Sequence, residues 1–152
     1  MIKHVWSVLC IRSVIDSDSN NISLMDVLEQ IEVQVEDKKR IKKEIIVPIN
    51  YELVNFWAKT KANERVTMTT TVEIIDPSGK KTKTMTKDLV IPAGKLRMRE
   101  RIKIQGFVFT DPGTHYFRIK YATTKDKRNK QVAEIPFVVK LIVNNKSQRP
   151  VA

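Results

Sequence analysis

Hydrophobic and polar residues alternate along most of this chain, and turn-forming residues interrupt the alternation at intervals of roughly 10 to 15 residues. Alternation with a period of two places every second side chain on the same face of a β-strand. The pattern therefore predicts about eight strands. They lie near residues 3–14, 22–35, 45–57, 65–76, 82–91, 96–109, 114–122 and 132–143.

Short turn motifs separate the predicted strands. In DPSGKK at 76–81, Pro77 fixes its own φ and Gly79 supplies a positive φ, so this motif predicts a β-hairpin. PAGK at 92–95 and DPG at 111–113 are expected to form turns of the same kind. The other connections are a turn-rich DSDSNN at 16–21 and a charged loop, TTKDKRNK, at 123–130.

The segment at 24–33 fits two structures. Within LMDVLEQIEV the apolar residues recur at the spacing i, i+3, i+4 and i+7 of a helix, and they also alternate as in a strand. The flanking sequence favours a strand, and both interpretations stay open. One other stretch, VEDKKRIKKE at 35–44, is compatible with a helix but is short and highly charged.

Many short strands without intervening helices predict an all-β protein, namely an antiparallel β-sandwich of two sheets. Residues 1–145 are expected to form one such domain, because no linker or internal repeat divides them. Residues 146–152 are expected to form a disordered tail.

The stretch GTHYFRIKY at 113–121 illustrates how such a strand divides its side chains between two faces. One face is predicted to meet the core and carries His115, Phe117, Ile119 and Tyr121. The other is predicted to meet solvent and carries Tyr116, Arg118 and Lys120.

The turn that enters this strand, DPGTHYF at 111–117, resembles the Asp-x-Gly-x-Tyr turn through which immunoglobulin-like sandwiches often enter a late strand. The resemblance implies an immunoglobulin-like sandwich. In this chain His115 stands at the tyrosine position and Phe117 at the position of the expected cysteine. A tyrosine corner and an inter-sheet disulfide are therefore absent or replaced.

A second resemblance covers most of the chain. The segment WSVLCIRSVIDSDSNNISLMDVLEQIEV at 6–33, together with DPSG and PGTHYFRI, resembles an uncharacterised family of small prokaryotic β-sandwich proteins. These motifs are turn and strand signatures with no known activity attached. The resemblance implies the fold and leaves the function open.

Composition narrows the class of protein. A chain of 152 residues, 41% hydrophobic and 30% charged, is typical of a soluble globular domain. Its one cysteine, Cys10, excludes an intrachain disulfide and fits a reducing compartment. Ser7, Arg12 and Ser13 interrupt the apolar start of the chain, so no signal peptide is recognised. Because no apolar run approaches the roughly 18 residues of a membrane span, we expect a soluble cytoplasmic protein.

We expect no catalytic residues, no cofactor and no metal site. DSDSN begins like a calcium loop but has Asn21 and Val27 where a helix–loop–helix site needs Gly and Glu. His4, His115 and Cys10 lie on separate predicted strands, without the close spacings of zinc ligands. The chain contains neither a Gly-rich phosphate loop nor a G-x-S-x-G motif.

The charge is strongly positive, with 28 Lys and Arg against 17 Asp and Glu, a net +11 that favours anionic partners. Like charges in one exposed row repel each other by about a few tenths of a kcal/mol per pair, so neighbouring acids or an anionic partner should offset them. Such a row occurs in KLRMRERIKIQ at 95–105, as Arg97, Arg99, Arg101 and Lys103. The predicted strand after this row adds Tyr116, Arg118 and Lys120. The predicted strand before this row places Lys81, Lys83 and Lys87 on one face.

This predicted basic face has two interpretations. It is either a binding surface or a solvated face that protects an edge strand from aggregation. The function favoured by the sequence is a non-catalytic module for protein–protein interaction or structure, with a protein partner or self-association, no membrane and no small-molecule cofactor. The first alternative is a nucleic-acid or polyanion-binding protein that uses the basic face. The second is a hydrolase with an unrecognised site built from His115, Asp111 and Cys10.

Overall fold

The computed structural model describes residues 1–36 and 43–144. Within these ranges the protein contains strands and no helix. The strands are β1 (Ile2–Ile15), β2 (Ile22–Val27), β3 (Gln30–Val35), β4 (Ile45–Lys59), β5 (Val66–Ile75), β6 (Lys81–Ile91), β7 (Arg97–Phe109), β8 (Gly113–Thr123) and β9 (Lys130–Val143). The predicted tail at 146–152 and most of the helix-compatible stretch at 35–44 lie outside the described residues.

The strands form two sheets. The four-stranded sheet has the order β2-β1-β4-β7, and the five-stranded sheet has the order β3-β9-β8-β5-β6. Neighbouring strands run antiparallel, except that β3 and β9 are parallel. The prediction of an all-β protein with two sheets is confirmed, whereas the expectation of purely antiparallel pairing is not.

The predicted strand at 22–35 is two strands, which makes the described total nine rather than about eight. Asp26 has a φ of 52°, and the chain leaves the strand at 28–29 before β3 begins. β2 pairs with β1, whereas β3 pairs with β9 in the other sheet. The helical interpretation of 24–33 is therefore wrong, because each half of the segment pairs with a different sheet.

The predicted turn motifs lie between or at the ends of strands, but not all of them form hairpins. DPSGKK forms the expected hairpin between β5 and β6, with a φ of 89° at Gly79. The Asp76 carboxylate accepts hydrogen bonds from the backbone N–H of Ser78 (3.0 Å) and of Lys80 (2.8 Å). PAGK and DPG, in contrast, each connect strands of different sheets. They are corners between layers and not hairpins.

One hydrophobic cluster lies between the two sheets, and both sheets contribute to it. Trp57 on β4 and Phe107 on β7 come from the four-stranded sheet, and Phe137 on β9 comes from the other. The rings of Phe107 and Phe137 meet edge to face, with their centroids 5.0 Å apart. Aromatic contacts of this kind join the two layers.

Strand β8 divides its side chains as the alternation predicted. His115, Phe117 and Ile119 are buried, and Tyr121 packs against the cluster while partly buried. His115 is buried against the Phe107 ring, at a centroid distance of 5.3 Å, and this burial lowers the pKa of the imidazole.

A polar network crosses the apolar interior. Glu100 on β7 is 2% exposed and accepts hydrogen bonds from the Asn55 amide (3.1 Å) and the Trp57 indole N–H (3.2 Å), both on β4. It also accepts one from the Thr70 hydroxyl on β5, at 2.6 Å. Because a buried carboxylate is costly unless it is hydrogen-bonded, this network fixes how β7 lies against both sheets.

Lys59 ties two connections together at one end of the sheets. The residue is 5% exposed, and its ammonium donates hydrogen bonds to the backbone oxygens of Pro92 (2.8 Å), Ala62 (3.3 Å) and Glu64. These oxygens belong to the β4–β5 and β6–β7 connections, and both connections cross between the sheets. A single lysine therefore holds two crossings in place.

We expect Lys59→Met to lower the free energy of unfolding by about 2 kcal/mol, because the variant loses charge-assisted hydrogen bonds to both connections. Urea denaturation followed by tryptophan fluorescence measures this change. Lys61→Met is the matched control, because Lys61 is exposed and only pairs loosely with Glu64, and its expected cost is below about 0.5 kcal/mol. Equal stability of the two variants would contradict the conclusion that Lys59 stabilises the two connections.

Candidate functional site

The predicted basic residues fall into two groups on different sheets. The first group lies on β7, at the edge of the four-stranded sheet, and the second lies on β8, inside the five-stranded sheet. The β7–β8 turn is a corner between layers, so the outward faces of these strands point to opposite sides of the molecule. The structure does not bring Tyr116, Arg118 and Lys120 onto the face that carries the β7 row.

The β8 group is paired within its own sheet. Arg118 forms an ion pair with Glu134 on β9, with 2.7 Å between Nε and Oε2. Lys120 pairs with Glu73 on β5, and Lys81 on β6 pairs with the same carboxylate. Hydrogen bonds from these two lysines hold the pKa of the Glu73 carboxyl below its usual range. The positive charge of this group is therefore already offset.

The lysines of β6 do not share one face. Lys81 points outward to Glu73, whereas Lys83 and Lys87 lie opposite the inward-facing Ile74 and Thr70. A register shift between Ile74 and Ile75 reverses the alternation at this point, which the sequence pattern did not predict. Inward-pointing lysines at a sheet edge are one of the ways in which proteins prevent edge-to-edge pairing.

The β7 row has the alternation that was predicted. Met98, Glu100, Ile102 and Ile104 are half-buried or buried on the inward side. On the outward side, Arg99 is half-buried, and the exposed members are Arg97, Arg101 and Lys103.

Groups on the β1–β2 hairpin and on β4 offset part of this row. Arg99 donates hydrogen bonds to the backbone oxygen (2.7 Å) and the side-chain oxygen (2.9 Å) of Asn20, at the hairpin tip. Arg101 donates to the Ser13 hydroxyl at 3.4 Å, and the Ser13 N–H donates to the Glu52 carboxylate at 2.8 Å. Since β4 lies between β1 and β7, the hairpin crosses the outward side of β4 to make these contacts.

The hairpin carries a concentration of exposed apolar side chains. Val27 is 54% exposed, the most of this set. The full set on the hairpin is Ile11, Val14, Ile15, Met25 and Val27. The register between β1 and β2 places Val14, Met25 and Val27 on one side of the hairpin and Ile11 and Ile15 on the other. Exposed apolar surface marks interaction sites on soluble proteins. We call Val14, Met25 and Val27, together with Arg97, Arg101 and Lys103, the hairpin–β7 face.

Sequence reasoning missed the apolar part of this face. The alternation predicted the strand at 3–14 but did not indicate which of its apolar residues would be exposed. The segment CIRSVI carried a signal of this exposure, because Val14 and the neighbouring Ile15 point to opposite faces of the strand and both are apolar. A strand with one covered face needs apolar residues on one parity alone, so apolar residues on both parities indicate a strand with a second face to cover.

The structure separates the residues of the proposed hydrolase set. Cys10 lies on the outward side of the four-stranded sheet, opposite Glu52, while His115 lies in the core between the sheets. The four-stranded sheet therefore stands between the thiol and the imidazole. Burial, and then the charge of Glu52, raise the pKa of the Cys10 thiol, which keeps it protonated and unreactive.

The DSDSN segment is a self-contained polar turn. The Asp16 carboxylate accepts hydrogen bonds from the backbone N–H of Ser19 (2.7 Å) and Asp18 (2.9 Å), and these bonds lower its pKa. In the part of the chain that the structure describes, His, Cys, Asp and Glu side chains do not gather in threes or more where a metal ion could bind. The turn instead shapes the hairpin tip that reaches Arg99.

No known protein-family model matches this chain, and no curated protein matches it. Among residues 1–36 and 43–144, no helix has the length and apolar character needed to cross a membrane. Because no matching protein supplies a function, the function is proposed from the hairpin–β7 face.

Replacing Arg99 with alanine is expected to loosen the hairpin tip, because the tip loses two charge-assisted hydrogen bonds. Hydrogen exchange at the amides of Asp16 and Asn20, which are bonded within the turn, should accelerate about tenfold. Arg97→Ala is the matched control, because Arg97 belongs to the same row and is exposed. Similar exchange in both variants would show that Arg99 does not hold the tip.

The Glu73 ion pairs predict a dependence of stability on pH. The pKa of Glu73 is lowered on folding, so its contribution is complete above its ordinary value of 4.5 and is lost as the pH falls through the lowered pKa. We expect Glu73→Gln to be less stable than wild type at pH 7, with a difference that shrinks below pH 4.5. Urea denaturation across this pH range measures it, and a difference that stays constant would contradict the pairing.

Proposed function

We propose that this protein is a non-catalytic protein-binding module whose partner docks on the hairpin–β7 face. The observation that carries the proposal is the concentration of exposed apolar side chains on the β1–β2 hairpin, which contacts the row of cations on β7 through Asn20 and Ser13. Apolar side chains exposed together supply binding energy, and arginine is enriched at interfaces. The hairpin reaches over β4 to contact β7, and Val14 of β1 shares one side of the hairpin with Met25 and Val27 of β2.

The charge of the face selects the kind of partner. Arg97, Arg101 and Lys103 are exposed along β7, and Arg12 is exposed on the hairpin itself. A second copy of this chain would bring the same cations, and like charges across an interface are unfavourable. The proposed partner is therefore another protein, with acidic and apolar side chains on its docking surface.

Nucleic acid is a weaker candidate for this face. Binding of single strands combines a cationic groove with aromatic side chains on which bases stack. Tyr116, the aromatic residue of the predicted basic face, lies on the five-stranded sheet. Trp6 and Phe56 share the outward side of the four-stranded sheet with the β7 row, but they are half-buried and packed against each other, with ring centroids 5.4 Å apart. The Arg99 guanidinium also donates two hydrogen bonds to Asn20. One of the four cations of the β7 row is therefore less available to contact phosphate.

A non-catalytic role is supported by what surrounds the reactive side chains. The Cys10 thiol is buried with a raised pKa, and His115 is packed among phenylalanine rings. We also propose that the protein acts in the cytoplasm, where a free thiol such as Cys10 stays reduced.

We further propose that the two sheets form an immunoglobulin-like sandwich. The order β1-β4-β7 follows strands A-B-E of that fold, and β5-β8-β9 follows C-F-G, with β6 in the place of C′. In this alignment β8 is strand F. His115 then stands in the tyrosine corner, with its Nδ1 3.2 Å from the backbone oxygen of Gly113. Membership of the prokaryotic family of small β-sandwich proteins is part of the same proposal.

Affinity capture from lysate of the native host tests the docking face. Immobilised wild-type protein is expected to retain a protein partner after nuclease treatment, and Val27→Lys should lose it, because a charge then enters the apolar patch. Ile142→Lys is the matched control, because it adds the same charge at an exposed apolar residue of β9, on the other sheet.

The outcomes separate the candidate functions. Capture that resists nuclease, is lost with Val27→Lys and is kept with Ile142→Lys supports the proposal. Capture abolished by nuclease would assign the face to nucleic acid instead. Capture that Val27→Lys and Ile142→Lys weaken equally would place the partner elsewhere on the protein.

A further inference from the structure

We propose that the free edge of β7 accepts an extended strand from the partner, with acidic side chains on its outward side and apolar side chains on its inward side. This inference rests on the proposed function, because it specifies how the acidic partner binds. The binding mode is β-strand addition, in which backbone hydrogen bonds give affinity and alternating side chains give specificity.

β7 has the geometry that strand addition needs. It is 13 residues long and, among the described residues, pairs only with β4. Its register with β4 is unbroken from Arg97, opposite Ala58, to Gln105, opposite Asn50. A strand paired on one side presents a row of N–H and C=O groups on the other. This stretch of β7 is therefore a regular template for a further strand.

The other edges of the two sheets are less suitable. β6 carries the inward-pointing Lys83 and Lys87, which would be forced under any added strand. β2 and β3 are only six residues long, and the positive φ of Asp26 disrupts the end of β2. On β7 the inward charge is Glu100, which is buried and hydrogen-bonded within the fold.

The cations of β7 select the sequence of the added strand. Arg97, Arg101 and Lys103 all point outward and are exposed. Opposite charges on neighbouring strands attract and like charges repel. Pairing of β7 with β7 of a second copy would bring two cationic rows together, whereas a strand with outward acids would neutralise the row. The same residues therefore prevent self-pairing and favour an acidic strand.

The inward side of the added strand would meet apolar surface. Met98 and Ile102 are half-buried at this edge and pack against the core cluster. Beyond Gln105, a cavity of about 270 Å³ opens between β7 and β6, and it is lined by Phe107 and Phe109 and also by the charged side chains of Asp76 and Lys83. The added strand would therefore meet apolar surface at Met98 and Ile102 and mixed surface beyond Gln105.

A synthetic peptide tests the proposal. The probe is a fluorescein-labelled nine-residue peptide that alternates glutamate and valine. Two further forms are N-methylated, one at every valine and one at every glutamate, so that each lacks the backbone donors of one edge. We expect the parent peptide to bind and one of the two methylated forms to lose at least tenfold in affinity by fluorescence anisotropy. The parent should shift the backbone amide NMR signals of residues 97–105.

Charge reversal provides the matched variants. Arg101→Glu with Lys103→Glu should weaken the parent peptide at least tenfold and should improve binding of a peptide that alternates lysine and valine. Lys140→Glu with Lys130→Glu, at two exposed lysines of β9, makes the same change in net charge and should leave both affinities within twofold.

The results distinguish failure of strand addition from failure of the hairpin–β7 face as a docking site. If both methylated forms bind as tightly as the parent, attraction is by charge alone and strand addition is overturned, while nuclease-resistant capture that depends on Val27 would still stand. NMR shifts centred on β2, β3 or β6 would also overturn it. If peptide binding has the expected pattern but Val27→Lys leaves partner capture intact, the docking face fails and the β7 edge remains.

Discussion

Every long strand of this protein has to hide one row of its side chains from water, and the two sheets can hide these rows only against each other. This constraint fixes the aromatic contacts between Phe107 and Phe137 and leaves Glu100 inside the protein. The carboxylate is tolerated there because Thr70 approaches from the opposite sheet and Asn55 from the neighbouring strand. The other row of each strand stays outside, where its composition is free to serve binding.

The outward rows of the two sheets differ in how their charges are offset. On the five-stranded sheet, Arg118 and Lys120 are paired with acidic residues of adjacent strands. On β7 the neighbours offset the row only in part, through Asn20 and the Ser13–Glu52 pair. The cations left exposed on β7 lie on the same sheet as the hairpin that carries the exposed Val14, Met25 and Val27.

Sequence predicted the local features well because they depend on neighbouring residues. The two faces of β8 and the row on β7 follow directly from alternation. The assignment of strands to sheets depends on contacts between distant residues, so PAGK and DPG looked like hairpin turns although they are corners. One register shift in the pairing of β5 with β6 places Lys81 and Lys83 on opposite faces, although they were predicted to share one. The hairpin is exposed because β1 leaves β4 before the hairpin turn. The register shift is not visible in the periodicity, whereas the apolar residues on both faces of CIRSVI are a sequence signal of the exposed hairpin.

The most direct measurement is NMR of methyl-labelled protein with a soluble paramagnetic agent, which broadens signals in proportion to their exposure. The account predicts unaffected methyl signals for Val72 and Ile119, which are fully buried between the sheets, and strong broadening for Val14 and Val27 on the hairpin. Equal broadening of the two groups, or protection of Val27 in the free monomeric protein, would contradict it.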